Sequence, residues 1–165
     1  MVKLVGIAGS IGDESYNRML LQFISKHFKK DVDIELLDIN DIPQFNEDED
    51  DGTNEAALDL ARHISGADGV ILATPEHNHT VPAAMKNVIE WMSNNLHPFT
   101  GKPVWIVGAS YYTQGSSRAQ LHLKQILAST GVNAIAMPGN AFLSRNAQSA
   151  FDDNGDLTDA PRLGF

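Results

Sequence analysis

Apolar residues follow two alternating patterns along the chain. Short apolar runs predict strands, and a run without polar interruption predicts a strand buried on both faces of a sheet. The runs cover residues 3–8, 34–39, 70–73, 104–109 and 134–137, and the second of them alternates with polar positions. Between the runs, apolar residues recur at helical spacing, as on the buried face of an amphipathic helix. The helices predicted in this way lie within residues 16–27, 57–64, 81–92 and 119–127.

This order of elements, β-α-β-α-β-α-β-α-β, predicts an α/β fold. Right-handed helical crossovers between parallel strands give a doubly wound sheet that is covered by helices on both faces. Five strands suit the order 2-1-3-4-5 of the flavodoxin-like fold. We therefore predict a single domain over residues 1–165 with a five-stranded parallel sheet, in which residues 138–165 form a loop-rich tail.

Composition and charge narrow the possible ligands. The chain has 165 residues, a formal net charge of −9 and no cysteine. The charge argues against binding to nucleic acid or to an anionic membrane, because no basic stripe is present to neutralise phosphates. The lack of cysteine excludes disulfides, iron–sulfur clusters and a thiol nucleophile. The sequence has neither a signal peptide nor a membrane-spanning stretch, so a cytoplasmic protein is expected.

Three loops rich in Gly, Ser, Thr and Asn follow predicted strands. They cover Gly9–Ser15, Thr74–Thr80 and Ser110–Ser116. The carboxyl ends of parallel strands meet at one edge of the sheet, and ligands bind there in this fold. The first loop opens a helix, where N–H groups attract a phosphate and Ser10, Ser15 and Asn17 add neutral donors. It is neither a Walker A nor a G-x-G-x-x-G loop, and the alternative is an ordinary turn in which Ser15 only caps the helix.

The second loop contains Glu76, His77 and His79, a combination that suggests a metal site. Residues two positions apart in an extended segment point away from each other, and no further ligand cluster is visible, so we predict no metal. The favoured interpretation is that the loop backbone and Asn78 form hydrogen bonds with a planar polar ligand.

Two interpretations stay open for the tyrosines of the third loop. Tyr111 and Tyr112 either flank a flat ring or cover the surface. Farther along, Ser117 and Gln120 have the spacing of a helix capping box, which predicts a structural role for both.

Taken together, the three loops resemble those of the NADPH-dependent FMN reductase family, which includes azoreductases, quinone reductases and chromate reductases. Gly9-Ser10, with Ser15 and Asn17, resembles the family's GS-x-R-x-x-S-x-N phosphate loop. Residues 75–91 resemble its PEYN…P…KN-x-I-D-W stretch, and residues 115–120 resemble its GG-x-R-A-Q stretch. The match runs from the first predicted strand to the fifth. The sequence departs from the family's arginine, tyrosine and second glycine at Gly12, His77 and Ser116.

The resemblance implies an NAD(P)H-dependent oxidoreductase that reduces FMN by hydride transfer and then reduces a quinone, an azo compound or a similar small molecule, with ping-pong kinetics. The cofactor carries this chemistry, so no catalytic side chain and no metal is expected. The FMN phosphate would lie on the first loop, and the ring would rest against the other two. The residues implied in cofactor binding are Ser10, Ser15, Tyr16, Asn17, Pro75, Glu76, His77, Asn78, Ser110 and Gly115.

The resemblance also implies a homodimer. The family's last helix would follow the acidic turn at residues 153–155, and the sequence ends at Phe165 shortly after it. Apolar residues at 141–143 and Phe151 are therefore expected to pack on the domain or on a second subunit.

Alternatives from other functional classes stay open. One is a flavodoxin-type electron carrier, which acts with a partner protein instead of NAD(P)H, and another is a flavin-free structural domain. A phosphoacceptor signalling domain of this fold is not favoured. Its acidic residues and its lysine would stand where this chain has Gly9-Ser10, Thr74 and Pro138.

Overall fold

The computed structural model describes residues 1–138 and 142–158 of the chain. In order along the chain, the elements are β1 Val2–Ala8, α1 Tyr16–His27, β2 Val32–Leu37, α2 Glu55–Gly66, β3 Gly69–Ala73, α3 Ala83–Trp91, β4 Pro103–Ala109, α4 Ser117–Leu127, β5 Ile135–Ala136 and β6 Phe142–Ser144. A π-helical turn, Met92–Leu96, follows α3, and a 3-10 turn, Ala147–Ser149, follows β6. None of the helices in this part of the chain is long and apolar enough to cross a membrane.

All strand pairs in the sheet are parallel, and the strand order is β2-β1-β3-β4-β5. This confirms the predicted flavodoxin-like fold. The register places Ile7 of β1 between Leu37 of β2 and Leu72 of β3, and Leu72 pairs in turn with Ile106 of β4. The chain order therefore reverses between β1 and β3, which is the switch point where ligands bind in such sheets.

The fifth position of the sheet is divided between two short strands, and here the structure differs from the prediction. β5 pairs Ile135 with the start of β4, whereas β6 pairs Ser144 with Ala109 at its end. The strand predicted at residues 134–137 is shorter, Ile135–Ala136, although the N–H of Met137 still donates to the carbonyl of Val104 at 2.9 Å. The tail, predicted to be loop-rich, thus contributes a strand to the sheet.

The apolar core lies on both faces of the sheet. Side chains alternate along each strand, so that Val70 and Leu72 face α2, α3 and α4 whereas Ile71 and Ala73 face α1. Each fully buried aliphatic side chain contributes about 1.5–3 kcal/mol of transfer free energy. Packing on both faces therefore holds the strands in place, and with them the edge of the sheet from which the loops leave.

The tail packs against the α1 side of the core, as expected for its apolar residues. Phe142, Phe151 and Leu157 are half-buried there. Ala141 lies outside the described residues. The expected packing on the domain is thus confirmed at Phe142 and Phe151.

Candidate functional site

The three loops leave the sheet at the same edge, and each is fastened there by its neighbouring strand. The N–H of Gly9 donates to the carbonyl of Ala73 at 2.8 Å, and that of Thr74 donates to Val107 at 2.9 Å. The N–H of Ser110 donates to the carbonyl of Ser144 in β6 at 3.1 Å. The strand missed in the sequence thus positions the start of the third loop.

The first loop presents unused donors at the start of α1. Ser15 is the N-cap, and its buried hydroxyl accepts from the N–H of Arg18 at 3.3 Å. The N–H groups of Tyr16 and Asn17, like those of Ile11, donate to no residue in the described part of the chain. A helix start with free N–H groups attracts an anion. This donor set fits a phosphate.

The side chain of Asn17, which the sequence predicted as a phosphate donor, is engaged in a structural contact. Its amide donates to the carbonyl of Ala109 at 3.0 Å and accepts from the N–H of the same residue at 2.9 Å. Both residues are buried. The pair ties α1 to the end of β4 and so holds the first and third loops together. The sequence motif does not reveal this tie, because the two residues are 92 positions apart.

An aromatic cluster borders the first and third loops. The ring of Tyr16 meets that of Tyr111 edge-on at 5.3 Å between centroids and lies nearly parallel to that of Phe151 at 6.2 Å. Tyr111 remains 56% exposed and Tyr112 73% exposed. Both rings therefore cover part of the surface at this edge, and neither is buried. Phe151, from the tail, was expected from the sequence to pack on the domain, but its place beside these loops was not predicted.

The second loop closes in a tight hairpin. His77 and Thr80 exchange two backbone hydrogen bonds of 3.0 Å. The residues between them have positive φ, 49° for Asn78 and 65° for His79, as a type I′ turn requires. The N–H groups of Glu76 and Asn78 donate to no described residue. They remain as donors for a polar ligand.

Glu76 uses its side chain to cap α4. Its carboxylate accepts from the N–H groups of Arg118 at 3.0 Å and Ala119 at 3.4 Å, and from the Arg118 guanidinium at 3.2 Å. Burial raises the pKa of this carboxyl and is the largest single influence. The hydrogen bonds from Arg118, Ala119 and His79 together outweigh it and hold the pKa below its ordinary value.

The predicted capping box at the start of α4 is wrong. The N-cap is Ser116, and its side chain makes no capping hydrogen bond. Gln120 instead donates to the Ser116 hydroxyl at 3.2 Å and to the carbonyl of Phe142 at 3.0 Å. Ser117 is displaced from the cap position because Glu76 supplies the capping oxygen from another loop.

Gly108 and Gly115 allow the second and third loops to approach closely. A Cβ at Gly108 would lie 1.8 Å from the hydroxyl oxygen of Ser116 and 2.6 Å from the carbonyl oxygen of Thr74. Gly115 has a φ of 65°, a conformation that glycine adopts without strain. The sequence predicted a role for Gly115 and missed Gly108.

The chain that forms this edge has counterparts among known proteins. The sequence pattern of the NADPH-dependent FMN reductase family matches residues 2–149. The chain belongs to this family. It is an NAD(P)H-dependent oxidoreductase that uses FMN, and the resemblance inferred from the loops is confirmed.

Relatives of known activity match nearly the whole chain. An NADH:(hydroxy)cinnamate reductase subunit of Vibrio ruber is 45% identical over 96% of this chain and 79% of its own length. A quinone reductase of Escherichia coli is 33% identical over 98% of this chain and 88% of its own length. The structure resembles that of the NAD(P)H:acceptor oxidoreductase FerB of Paracoccus denitrificans, with a TM-score of 0.85, 28% identity and coverage of 98% and 89% of the two chains.

The family's Lys-Asn…Trp stretch anchors the loop that follows β2. Asn87 donates to the carbonyl of Pro43 at 2.9 Å and accepts from the N–H of Phe45 at 2.7 Å. The indole of Trp91 donates to the same Pro43 carbonyl at 2.8 Å. The anchored loop forms one wall of a cavity of about 570 Å³, which Ile11 of the first loop also lines.

Arg18 places a cation beside the first loop. Position 12, where the family has arginine, is glycine here. The Arg18 guanidinium reaches back to 3.5 Å from the carbonyl of Gly12 and 4.0 Å from the carboxylate of Asp38. Among the described residues, no three His, Asp or Glu side chains are grouped so that they would hold a metal ion.

Proposed function

We propose that the chain holds FMN across this edge, with the phosphate on the first loop and the flavin ring against the second and third. When bound, FMN supplies the hydride and electron transfer that the family name describes. Free N–H groups at the start of α1 and at the hairpin support this placement. The proposed contacts are Ser10, Ser15, Tyr16, Asn17, Pro75, Glu76, His77, Asn78, Ser110 and Gly115.

The residues of the site bind and orient, and none of them needs to exchange a proton. The N–H groups of Glu76 and Asn78 would stabilise negative charge on a ring bound beside them. His77 and His79 are exposed, and His79 already contacts Arg118 at 3.0 Å. Tyr111 and Tyr112 are exposed at this edge, and both substrates are proposed to use the surface beside them in turn. We therefore expect ping-pong kinetics.

The observation that carries the proposal is the set of unpaired N–H groups around Ser15, and flavin binding tests it. Losing hydrogen bonds to a charged phosphate costs about 1.5–3 kcal/mol each. Ser15→Ala should therefore weaken FMN binding at least about tenfold and leave riboflavin binding nearly unchanged. Asn54→Ala is the matched control, because Asn54 caps α2 in the same way, with Ala57 as donor at 3.0 Å, away from the site. Equal binding of riboflavin and FMN by the wild-type chain would contradict the phosphate placement.

We propose quinones, azo compounds or similar planar molecules as the acceptor and a homodimer as the working form. Exposed apolar side chains at the edge, Ile11 and Tyr112 among them, support both parts of the proposal. The catalytic unit is the single domain over residues 1–165. We place it in the cytoplasm, where it would meet NAD(P)H directly. Steady-state kinetics with a quinone series and the mass in solution at micromolar concentration test these points.

A second candidate is transfer of electrons to a partner protein. The observation that favours it is the naming of two relatives as subunits, the Vibrio ruber protein and an NADH-dependent flavin reductase subunit 2 of Lactobacillus johnsonii, which is 39% identical. Rapid NADH oxidation with a quinone and no second protein favours the first candidate. Bleaching of the flavin by NADH without turnover of any small acceptor favours the second.

A further inference from the structure

We propose that Glu76, Arg118 and His122 are positioning residues for the flavin, acting as a clamp that fastens the hairpin of the second loop to α4. The inference rests on the proposed function, since it assumes that the ring lies against this hairpin. The second loop contributes only side chains to the clamp, so that the backbone N–H groups of Glu76 and Asn78 stay available to the ring.

The clamp begins at Glu76, whose side chain is only 10% exposed. Its carboxylate accepts from the second and third N–H groups of α4, those of Arg118 and Ala119. The local N-cap, Ser116, leaves these groups unpaired by its own side chain. The start of α4 is therefore capped only when the second loop is in place, which makes the helix and the loop depend on each other.

Arg118 and His122 hold the other parts of the hairpin. They lie four residues apart and so share one face of α4. The guanidinium of Arg118 is 3.2 Å from the carboxylate of Glu76 and 3.0 Å from Nδ1 of His79. Nδ1 of His122 is 2.9 Å from the hydroxyl of Thr80. α4 thus contacts the second loop at Glu76 before the turn, at His79 within it and at Thr80 after it.

The turn itself needs this support. Asn78 and His79 both have positive φ, and for a non-glycine residue this conformation costs about 1 kcal/mol or more. Asparagine and histidine are both enriched in this conformation, but two such residues in succession still carry its cost twice. Hydrogen bonds between His77 and Thr80 close the turn locally but do not fix its position on the protein. The contacts with α4 supply that position.

Because the clamp acts at the ring end of the proposed site, its loss should affect the ring and not the phosphate. Arg118→Ala should weaken the binding of FMN and of riboflavin by the same factor, about three- to tenfold. It should also shift the midpoint potential of the bound flavin, since the N–H groups that face the reduced ring are no longer fixed. Ser15→Ala, at the phosphate end, should instead weaken the binding of FMN and leave that of riboflavin nearly unchanged.

The experiment titrates the flavin-free full chain with FMN and with riboflavin and follows the quenching of flavin fluorescence. Glu76→Gln keeps a capping oxygen but loses the charge, so it should match Arg118→Ala, and the double variant should be no weaker than either. Arg118→Lys should restore part of the affinity. Arg62→Ala is the control, because Arg62 forms an exposed ion pair with Asp59 at 3.1 Å on α2 and should leave both affinities unchanged.

Hydrogen exchange of the flavin-free protein adds a readout for variants that fold poorly. The N–H of Thr80 should exchange about tenfold faster in His122→Ala, with the α2 amides unchanged. Normal affinity of Arg118→Ala for both flavins, or a loss restricted to FMN, would overturn the clamp and leave the proposed function standing. Absence of flavin binding by the wild-type chain would overturn the proposed function and, with it, this inference.

Discussion

Replacing Asn17 by alanine should remove the only side-chain link described between the start of α1 and the end of β4. The link consists of hydrogen bonds of 3.0 and 2.9 Å to the carbonyl and the N–H of Ala109. Asn17 is 3% exposed and Ala109 is 2% exposed, so water cannot easily replace the lost amide. Each buried backbone group left unpaired costs about 1–3 kcal/mol, and two such groups give an expected destabilisation of about 2–6 kcal/mol.

Urea unfolding followed by circular dichroism measures this change in the free energy of unfolding. Asn87→Ala is the matched control. Asn87 also forms two hydrogen bonds with backbone, to Pro43 and Phe45, but it is half-buried beside a surface loop. Water can reach these partners, so the expected loss is about 1 kcal/mol or less. A loss below about 1 kcal/mol for Asn17→Ala would refute the reasoning, because it would mean that the buried backbone groups are satisfied without the amide.

The variant Asn17→Asp adds a pH dependence with a fixed sign. Its carboxylate can accept from the N–H of Ala109, but its second oxygen would face the Ala109 carbonyl. Only the protonated acid donates to that carbonyl, so burial and hydrogen bonding raise the pKa of the new carboxyl in the folded state above that in the unfolded state. The variant should therefore be most stable, relative to wild type, below the unfolded-state pKa and lose this stability as the pH rises through the folded-state pKa. If Asn17→Asp instead became more stable as the pH rose, the placement of its second oxygen opposite the Ala109 carbonyl would be contradicted.

Further predictions concern the other loops. Gly108→Ala should destabilise the fold by about 3 kcal/mol or prevent folding, since its Cβ would lie 1.8 Å from a hydroxyl oxygen, and thermal unfolding measures this. Arg18→Ala should weaken FMN binding about threefold to tenfold, as measured by titration, and riboflavin binding much less. Because the pKa of Glu76 is lowered in the folded state, its contribution to stability should persist above the unfolded-state pKa and disappear as the pH falls through the folded-state pKa. In Glu76→Gln, acid unfolding should lack this loss of stability at low pH. His77→Ala and His79→Ala should retain most NADH oxidation with added FMN, and complete loss in either variant with flavin still bound would indicate a proton donor.

The sequence predicted the repeating part of the structure well because periodicity is a local signal. The helix predicted at residues 16–27 coincides with α1, and the order of the sheet follows from the alternation of strands and helices. β6 escaped detection because it has only three residues, and it follows Pro138 instead of a helix. Its apolar run was visible, but pairing with β4 depends on the position of the chain in space.

The candidate site also has a part that the sequence predicted and a part that it did not. The meeting of the three loops at one edge was predictable from the position of Gly, Ser and Asn after strands, since the fold brings strand ends together. The contacts between the loops could not be predicted from the sequence. Glu76 caps a helix 42 residues away, and Asn17 pairs with a residue 92 positions away. Such contacts leave no spacing pattern in the sequence. The capping box predicted at Ser117 was a local motif, and the carboxylate of Glu76 supplies the capping oxygen in its place.

The measurement that tests the account most directly is a titration of the ¹⁵N-labelled, flavin-free chain with FMN, followed by amide chemical shifts. The account predicts the largest shifts at the free N–H groups of the two binding loops, Ile11 and Tyr16 on the phosphate side and Glu76 and Asn78 on the ring side. Riboflavin should reproduce the shifts of Glu76 and Asn78 without those of Ile11 and Tyr16. Shifts concentrated at the opposite edge of the sheet, around His63 and Lys3 in the cavity that they line, would contradict the placement of the cofactor.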